Sequence, residues 1–332
     1  MEQRKAVRFD EREHDADRAR LAQVVAGLKE SPPRISPIWF YDQRGSALFQ
    51  RICELSEYYP TRTEIGIMRT HAADMAAALG PDVAIVEPGS GASLKTRLLL
   101  DALDAPAAYV PIDISRESML DAARRLQRDY PGLRVRPVCA DFNAPFDLPS
   151  TVLRDARRRV VYFPGSTLGN FAVDDAVGLL QRFAAIVGPD GAVLLGLDRV
   201  KPTAILERAY DDAAGVTAEF NVNALRHLNR ELGTRFDLGA FEHRARWVAE
   251  HDRIEMHLVA RRALSFEVGA ETFRLDRGDY LLTEYSHKYT LESAARLAAA
   301  AGLAVQRTWS DAREWFSVLL LEPTVSSRAD RH

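Results

Sequence analysis

Between residues 63 and 198 the apolar positions fall into two kinds of block. Short, nearly continuous apolar runs at 83–87, 108–113, 134–140, 159–163 and 192–198 alternate with longer stretches at 63–79, 94–103, 115–129 and 174–187, where apolar residues recur every three to four positions. An unbroken apolar run suits a strand buried on both faces, so this alternation predicts a parallel sheet covered by helices on either side. The pattern changes after Asp198: residues 202–232 read as helical and 240–275 as alternating strands, for example Arg253-Ile254-Glu255-Met256-His257-Leu258-Val259. Strand, helix and strand return at 279–288, 290–301 and about 304–321. Ahead of the sheet, a helix at 16–28 is stopped by Ser31-Pro32-Pro33, and an aromatic-dense segment follows between Pro37 and Thr63. The expected fold is α/β, a doubly wound Rossmann-like sheet finished by the last two strands, with a second, smaller α+β substrate-binding domain. The predicted bounds are 62–200 plus 287–325 for the sheet domain and 10–61 plus 201–286 for the substrate-binding part, which would act as a lid.

The first strand ends in Glu87-Pro88-Gly89-Ser90-Gly91-Ala92-Ser93-Leu94-Lys95-Thr96, a small-residue loop leading into a helix. Glycine lacks a Cβ, so backbone amides there can approach a ligand that side chains would exclude. Two further strands end in carboxylates, Asp113 and Asp141, and in a doubly wound sheet the carboxyl ends of neighbouring strands line one crevice. A nucleoside suits this set: one carboxylate accepts the ribose hydroxyls, the other accepts an adenine amino group, and the Phe142 N–H can reach a ring nitrogen. The adenosine of S-adenosylmethionine is the first candidate. A phosphate-cradling loop needs glycine immediately before the lysine, and Leu94 stands there instead. A dinucleotide fingerprint lacks its third glycine at Leu94, although Asp113 lies at about the expected distance of ~20 residues, so a nicotinamide-dependent oxidoreductase is the alternative from another enzyme class.

Composition narrows the choice. With 332 residues, 47% hydrophobic and 27% charged, the chain can bury a large core. A net charge of −3 provides no footprint for nucleic acid or an anionic membrane, and no apolar run approaches a membrane span. Cys53 and Cys139 stand far apart and predict small core residues in a reducing compartment rather than a disulfide. The charged amino terminus lacks a signal core, so a cytoplasmic location is expected. A monomer is the separate expectation for its assembly. Arg157-Arg158-Arg159 is taken as a solvated helix end with no binding role.

On the substrate side, the strand at 159–163 runs into Gly165-Ser166-Thr167-Leu168-Gly169-Asn170, beside the crevice, where Asn170 could accept from an amine and donate to a carboxylate. In Leu282-Thr283-Glu284-Tyr285-Ser286-His287-Lys288 an extended chain puts Glu284 and Ser286 on one face, able to grip a small polar ring. Each feature also has a plain structural explanation, a loop asparagine satisfying local backbone and a polar strand edge.

Trp39-Phe40-Tyr41-Asp42, Glu57-Tyr58-Tyr59-Pro60-Thr61-Arg62, the Gly89-Ser90-Gly91 loop with Lys95-Thr96-Arg97, Gly165-Ser166-Thr167, Ala209-Tyr210-Asp211-Asp212-Ala213-Ala214-Gly215-Val216-Thr217 and Leu282-Thr283-Glu284 carry a further signal. In these motifs, from about Pro33 to Leu321, the chain resembles the histidine-specific, S-adenosylmethionine-dependent N-methyltransferases of ergothioneine biosynthesis, which convert L-histidine to its trimethylated betaine, hercynine. The resemblance implies a class I methyltransferase sheet in which Gly89, Lys95, Asp113, Asp141 and Phe142 contact the cofactor. It also implies that Tyr58, Asn170 and Tyr210 hold the amino acid's amine and carboxylate, that Tyr41 lies near the amine, and that Glu284, Ser286 and Met256 form the ring pocket. Pro88, where leucine is common, and the variable His287 are departures that touch no implied ligand.

Methyl transfer from a sulfonium is an in-line displacement in which positioning supplies much of the acceleration. No metal is expected, and His227, His243, His251 and His257 are taken as structural or surface residues. Tyr41 and Asn170 are the candidate catalytic residues, though a phenol with a pKa near ~10 is a poor general base. Another aromatic amino acid or amine as substrate, and a non-catalytic binding protein on the same fold, are the remaining alternatives.

Overall fold

The computed structural model describes residues 11–324, apart from 91–93, 115, 145, 147 and 149–155; Gly91, one of the expected loop glycines, lies outside the described residues. The described elements begin with α1 (Glu11–Leu28), α2 (Gln43–Glu54), α3 (Tyr59–Leu79), β1 (Val83–Pro88), α4 (Leu94–Ala102), β2 (Ala108–Asp113) and α5 (Arg116–Asp129). Next come β3 (Arg134–Val135), β4 (Val138–Cys139), β5 (Arg158–Phe163), α6 (Val173–Val187), β6 (Ala192–Asp198), α7 (Thr203–Tyr210) and α8 (Val216–Glu231). Strands β7 (Phe241–Val248), β8 (Arg253–Ala260), β9 (Leu264–Val268), β10 (Glu271–Leu275) and β11 (Tyr280–His287) precede α9 (Leu291–Ala300), β12 (Leu303–Ser310) and β13 (Phe316–Pro323). Two compact units result. One comprises Tyr59–Pro202, Ala249–Arg253 and the chain from Ser286 onward; the other comprises the chain up to Tyr58, Thr203–Val248 and Ile254–Tyr285.

The first of these units is built on a sheet of order β12-β13-β6-β5-β1-β2-β3, with β4 also paired to β2. All neighbours are parallel except β13, which runs antiparallel to both β6 and β12. Every residue of β1 and β6 is buried, as expected of strands covered on both faces. Strand alternation divides their side chains between two cores: Ala84 and Val86 pack with Phe183 and Leu179 of α6, whereas Val83 and Ile85 pack with Met68 and Met75 of α3 and Leu99 of α4.

Several expectations are corrected. The single strand at 134–140 is two short strands, because Pro137 has no N–H to give the ladder. The stretch 304–321 is a hairpin: the Asp311 carboxylate accepts from the N–H groups of Arg313, Trp315 and Phe316 and turns the chain back. This hairpin finishes the sheet. The strand at 280–287 does not join it and lies instead in a three-stranded sheet of order β11-β8-β7. The long helical stretch 202–232 is two helices, because Asp212 caps α8 by accepting from Val216 and Thr217 N–H. Cys139 is exposed rather than a core residue. Arg158 and Arg159 are not a solvated helix end: Arg158 donates to the carbonyls of Ala78 and Leu79 at the end of α3, and Arg159 to that of Ile186 at the end of α6.

The other unit holds α1, α2, α7 and α8 with the β7–β8 strands, the β9–β10 hairpin and β11 up to Tyr285. The Asp42 carboxylate caps α2 by accepting from Gly45 N–H at 2.7 Å, and also accepts from Asn223 of α8. Burial opposes its charge, but these donors and Arg230 hold its pKa below the usual carboxylate range. Trp39 and Phe40 are buried, Trp39 against His227 and Phe40 against Phe220, so they fasten this segment to α8. Among the described residues no helix is long and apolar enough to cross a membrane.

Candidate active site

The chain moves outward from β1 through β2 to β3 and then returns to place β5 on the other side of β1, so the topological switch point lies between β1 and β5. Ligands of open α/β sheets bind outside the strand carboxyl ends at such a point. Both strands end there in glycine loops. Gly89 follows β1 with φ +69°, a left-handed conformation that a side chain resists, and a Cβ added to it would meet the Phe142 ring at 3.3 Å. Phe142 is fixed in turn by edge contacts with Phe163 and Phe171. Asp113 ends β2, half-buried, and is paired in register with Cys139 of β4, which leads to Asp141. Asp141 is exposed, and its Oδ1 accepts from Asn143 N–H. The sheet thus gathers Gly89, Asp113, Asp141 and Phe142 at one end.

Lys95, in the first turn of α4, donates to the fully buried Glu64 of α3 at 2.7 Å, and Glu64 also accepts from Gly165 N–H at 2.9 Å. One carboxylate therefore ties the helix after the β1 loop to the loop after β5. Below the β1 loop, buried Glu87 accepts from Thr96 Oγ1 at 2.8 Å and Tyr109 Oη at 2.7 Å. Burial pushes its pKa up to about 7, against the lowering effect of those hydrogen bonds and of Lys95.

In the loop after β5, Ser166 takes φ +58° and accepts from Asp198 N–H, which fixes the turn presenting Asn170. Gly169 packs on the backbone of β11: a Cβ there would lie 2.7 Å from the His287 carbonyl oxygen. Asn170 is half-buried at the end of this 3-10 turn.

The other unit holds an aromatic cluster. Tyr41 packs edge-on against Phe49 and Phe220, Phe49 against Tyr58, and Tyr58 against Tyr210, with centroid separations of 5.7–6.3 Å. Tyr41 is 42% exposed as a residue, yet its hydroxyl sits in the field of Glu284, Cys53 and Tyr210; desolvation of that hydroxyl, then those neighbours, raises its pKa far above the phenol range. Desolvation likewise raises Tyr58, with Tyr210 the leading charge neighbour. Both phenols stay protonated. His243 steadies Tyr210: its Nε2 bonds the Tyr210 carbonyl at 2.7 Å and its Nδ1 bonds Asn221 Nδ2 at 2.8 Å, and burial keeps the ring neutral by lowering its pKa. Glu284 is 9% exposed on β11, and Met256, 2% exposed on β8, accepts from Thr283 Oγ1 through its carbonyl. Among the expected structural histidines, His257 bonds Glu255 at 2.9 Å and stacks on Tyr280. Among the described residues no group of three metal-ligating side chains converges.

Ser286 stands two positions beyond Glu284 on the same strand, and around it lies a charge cluster unforeseen in the sequence. Lys288, wholly buried, donates to Ser286 Oγ at 2.7 Å and pairs with Asp198 Oδ2 at 2.8 Å. Asp198 also pairs with Lys201 at 2.6 Å and accepts from Tyr59 Oη at 2.7 Å. Burial works against the Asp198 charge, but the two lysines bring its pKa below the usual range; Lys201, the second cation on one carboxylate, is pushed down to about 8 by burial. Phe49, Phe220, Glu64, Asp198 and Lys288 have no motif of their own. The only hint in the sequence is an acidic residue closing the β6 run and a lysine following a polar strand.

The chain thus has a doubly wound sheet with a carboxy-terminal antiparallel hairpin and a strand-end set of glycine and carboxylates. Residues 20–323 match the model of a family described as histidine-specific, S-adenosylmethionine-dependent methyltransferases, and the chain belongs to that family. It is 44% identical over 293 residues to a histidine N-alpha-methyltransferase of Mycolicibacterium smegmatis, covering 87% of this chain and 90% of the relative. A histidine N-alpha-methyltransferase of Mycobacterium tuberculosis is 42% identical over the same length and the same shares. An ergothioneine biosynthesis protein 1 of Neurospora crassa is 30% identical over 302 residues, which are 90% of this chain and 34% of that protein.

Proposed function

We propose that this protein transfers three methyl groups from S-adenosylmethionine to the α-amino nitrogen of L-histidine, giving hercynine for ergothioneine synthesis. The observation that carries this reading is the buried carboxylate of Glu284 with the hydroxyl of Ser286 two residues along β11, in a chain of a histidine-specific family. Alternation points both side chains the same way, and together they offer an acceptor and a hydroxyl to the two ring nitrogens of an imidazole. A ring without an N–H would forgo a hydrogen bond to the buried Glu284 carboxylate, a penalty against other side chains. Met256 contributes an apolar surface to the same pocket.

Asp113 takes the ribose hydroxyls of the cofactor in this reading, Asp141 the adenine amino group and Phe142 N–H a ring nitrogen, while the Gly89 loop lies against the methionine part with Lys95 beside it. Tyr58, Tyr210 and Asn170 hold the amine and carboxylate of histidine, and Tyr41 lies near the amine. Bound S-adenosylmethionine supplies an electrophilic methyl group. The residues orient an unprotonated amine toward it, and alignment rather than a nucleophilic side chain lowers the barrier. Protonated phenols at Tyr41 and Tyr58 accept from amine N–H groups through oxygen lone pairs and can pass protons onward without ionising. No metal enters this scheme, and the protein acts as a monomer in the cytoplasm.

Incubation of the purified protein with S-adenosylmethionine and each amino acid in turn, with products identified by mass, tests the proposal. Three added methyl groups on histidine are expected. Methylation of a different amino acid in preference to histidine would overturn the substrate; no transfer to any would overturn the activity.

A further inference from the structure

The Ser286 hydroxyl has one proton to give and lone pairs to receive. The Lys288 ammonium occupies one lone pair at 2.7 Å, and because Lys288 is wholly buried and held by Asp198 at 2.8 Å, this donor is fixed and charged. An ammonium can only donate. The Ser286 proton therefore points away from Lys288, and the cation behind the oxygen makes that O–H a stronger donor and a poorer acceptor. Asp198 is anchored in turn by Tyr59 Oη and Lys201, and its backbone N–H donates to Ser166, so the lysine cannot swing out of line without giving up its own ion pair to a fixed, buried carboxylate.

A donor hydroxyl and an acceptor carboxylate complement a ring with one protonated and one bare nitrogen. They do not complement an imidazolium, which has two N–H groups and no lone pair.

We propose that Lys288, locked by Asp198, is a positioning residue that sets Ser286 as a hydrogen-bond donor, so that the protein selects histidine with its side chain as neutral imidazole in a single tautomer. This rests on the reading that Ser286 meets the substrate ring.

The first test uses the unaltered protein. Histidine with a 15N-labelled ring, bound with S-adenosylhomocysteine, is expected to show one protonated and one unprotonated ring nitrogen near neutral pH, the unprotonated one shifted as a hydrogen-bond acceptor. Two protonated nitrogens would overturn the proposal. The second test compares histidine with pyrrolylalanine, which keeps a ring N–H but lacks the bare nitrogen. Ser286→Ala should lower the histidine-to-pyrrolylalanine ratio of kcat/KM by about 10- to 100-fold, as expected for loss of a charge-assisted hydrogen bond. Lys288→Met should lower it to a similar extent, with S-adenosylmethionine affinity retained, and should add nothing to the ratio in a Ser286→Ala background. Additive losses, or a ratio that Lys288→Met leaves intact while Ser286→Ala lowers it, would overturn the role of Lys288 and leave ring recognition standing. A ratio unmoved by Ser286→Ala would defeat the recognition reading itself.

Discussion

Glu87 sits at the end of β1, 2% exposed, beneath the loop assigned to the cofactor, and its carboxylate is held by Thr96 and Tyr109. Its pKa rises from 4.5 to about 7, chiefly through burial, and each unit corresponds to about 1.4 kcal/mol. In the unfolded chain it loses its proton near 4.5, in the native protein near 7, so between these values the native state binds more protons and stability falls as pH rises. Integrated from pH 5 to pH 8, the penalty grows by roughly 2.5 kcal/mol. Glu87→Gln removes the ionisation while keeping the side-chain shape; the acceptor it loses costs the same at both pH values and cancels in the comparison. Urea unfolding of both proteins at pH 5 and pH 8 should therefore show the variant gaining roughly 2–3 kcal/mol relative to the parent at the higher pH. A relative change below about 0.5 kcal/mol would mean that Glu87 ionises as an ordinary surface carboxylate, and the account of this buried cluster would fail.

Glu284→Ala should lower kcat/KM for histidine by about 100-fold while leaving the calorimetric affinity for S-adenosylmethionine within about twofold; equal losses would defeat its assignment to the ring. Asp113→Ala should weaken S-adenosylmethionine binding by about 10- to 100-fold in the same calorimetry, and an unchanged affinity would place the ribose elsewhere. Gly169→Ala puts a methyl group 2.7 Å from the His287 carbonyl oxygen, a backbone atom, and should cost about 1–3 kcal/mol in thermal unfolding and raise KM for histidine through Asn170; an unaltered melting curve would refute the close packing.

Much of the sheet unit was legible because its signals are local. Apolar runs such as Val83-Ala84-Ile85-Val86 and Ala192-Val193-Leu194-Leu195 admit few structures besides buried strands, and the strand-end positions of Gly89, Asp113, Asp141 and Asn170 followed from them. Several of the misjudged places were those where one polar side chain overrides periodicity. Asp311 turned an apparent strand into a hairpin, Asp212 divided an apparent helix, and Arg158 and Arg159 spend their charge on buried helix ends rather than on solvent. Glu284 and Ser286 could be paired from spacing alone, since alternate residues of a strand share a face whatever the strand packs against.

By itself the sequence determined most of the alternation of strands and helices from β1 to β6, the glycine loop and the carboxylates that follow its strands, because hydrophobic periodicity and backbone freedom act over a few residues. Only the tertiary structure decided that Glu64 joins Lys95 to Gly165, that Phe49 links Tyr41 to Tyr58 with Phe220 packed beside it, and that Lys288 reaches both Asp198 and Ser286. Those partners are far apart in the chain or sit in unremarkable surroundings. Burial makes each charge depend on finding its counterpart, and which counterpart lies within reach is settled by how the strands and helices pack.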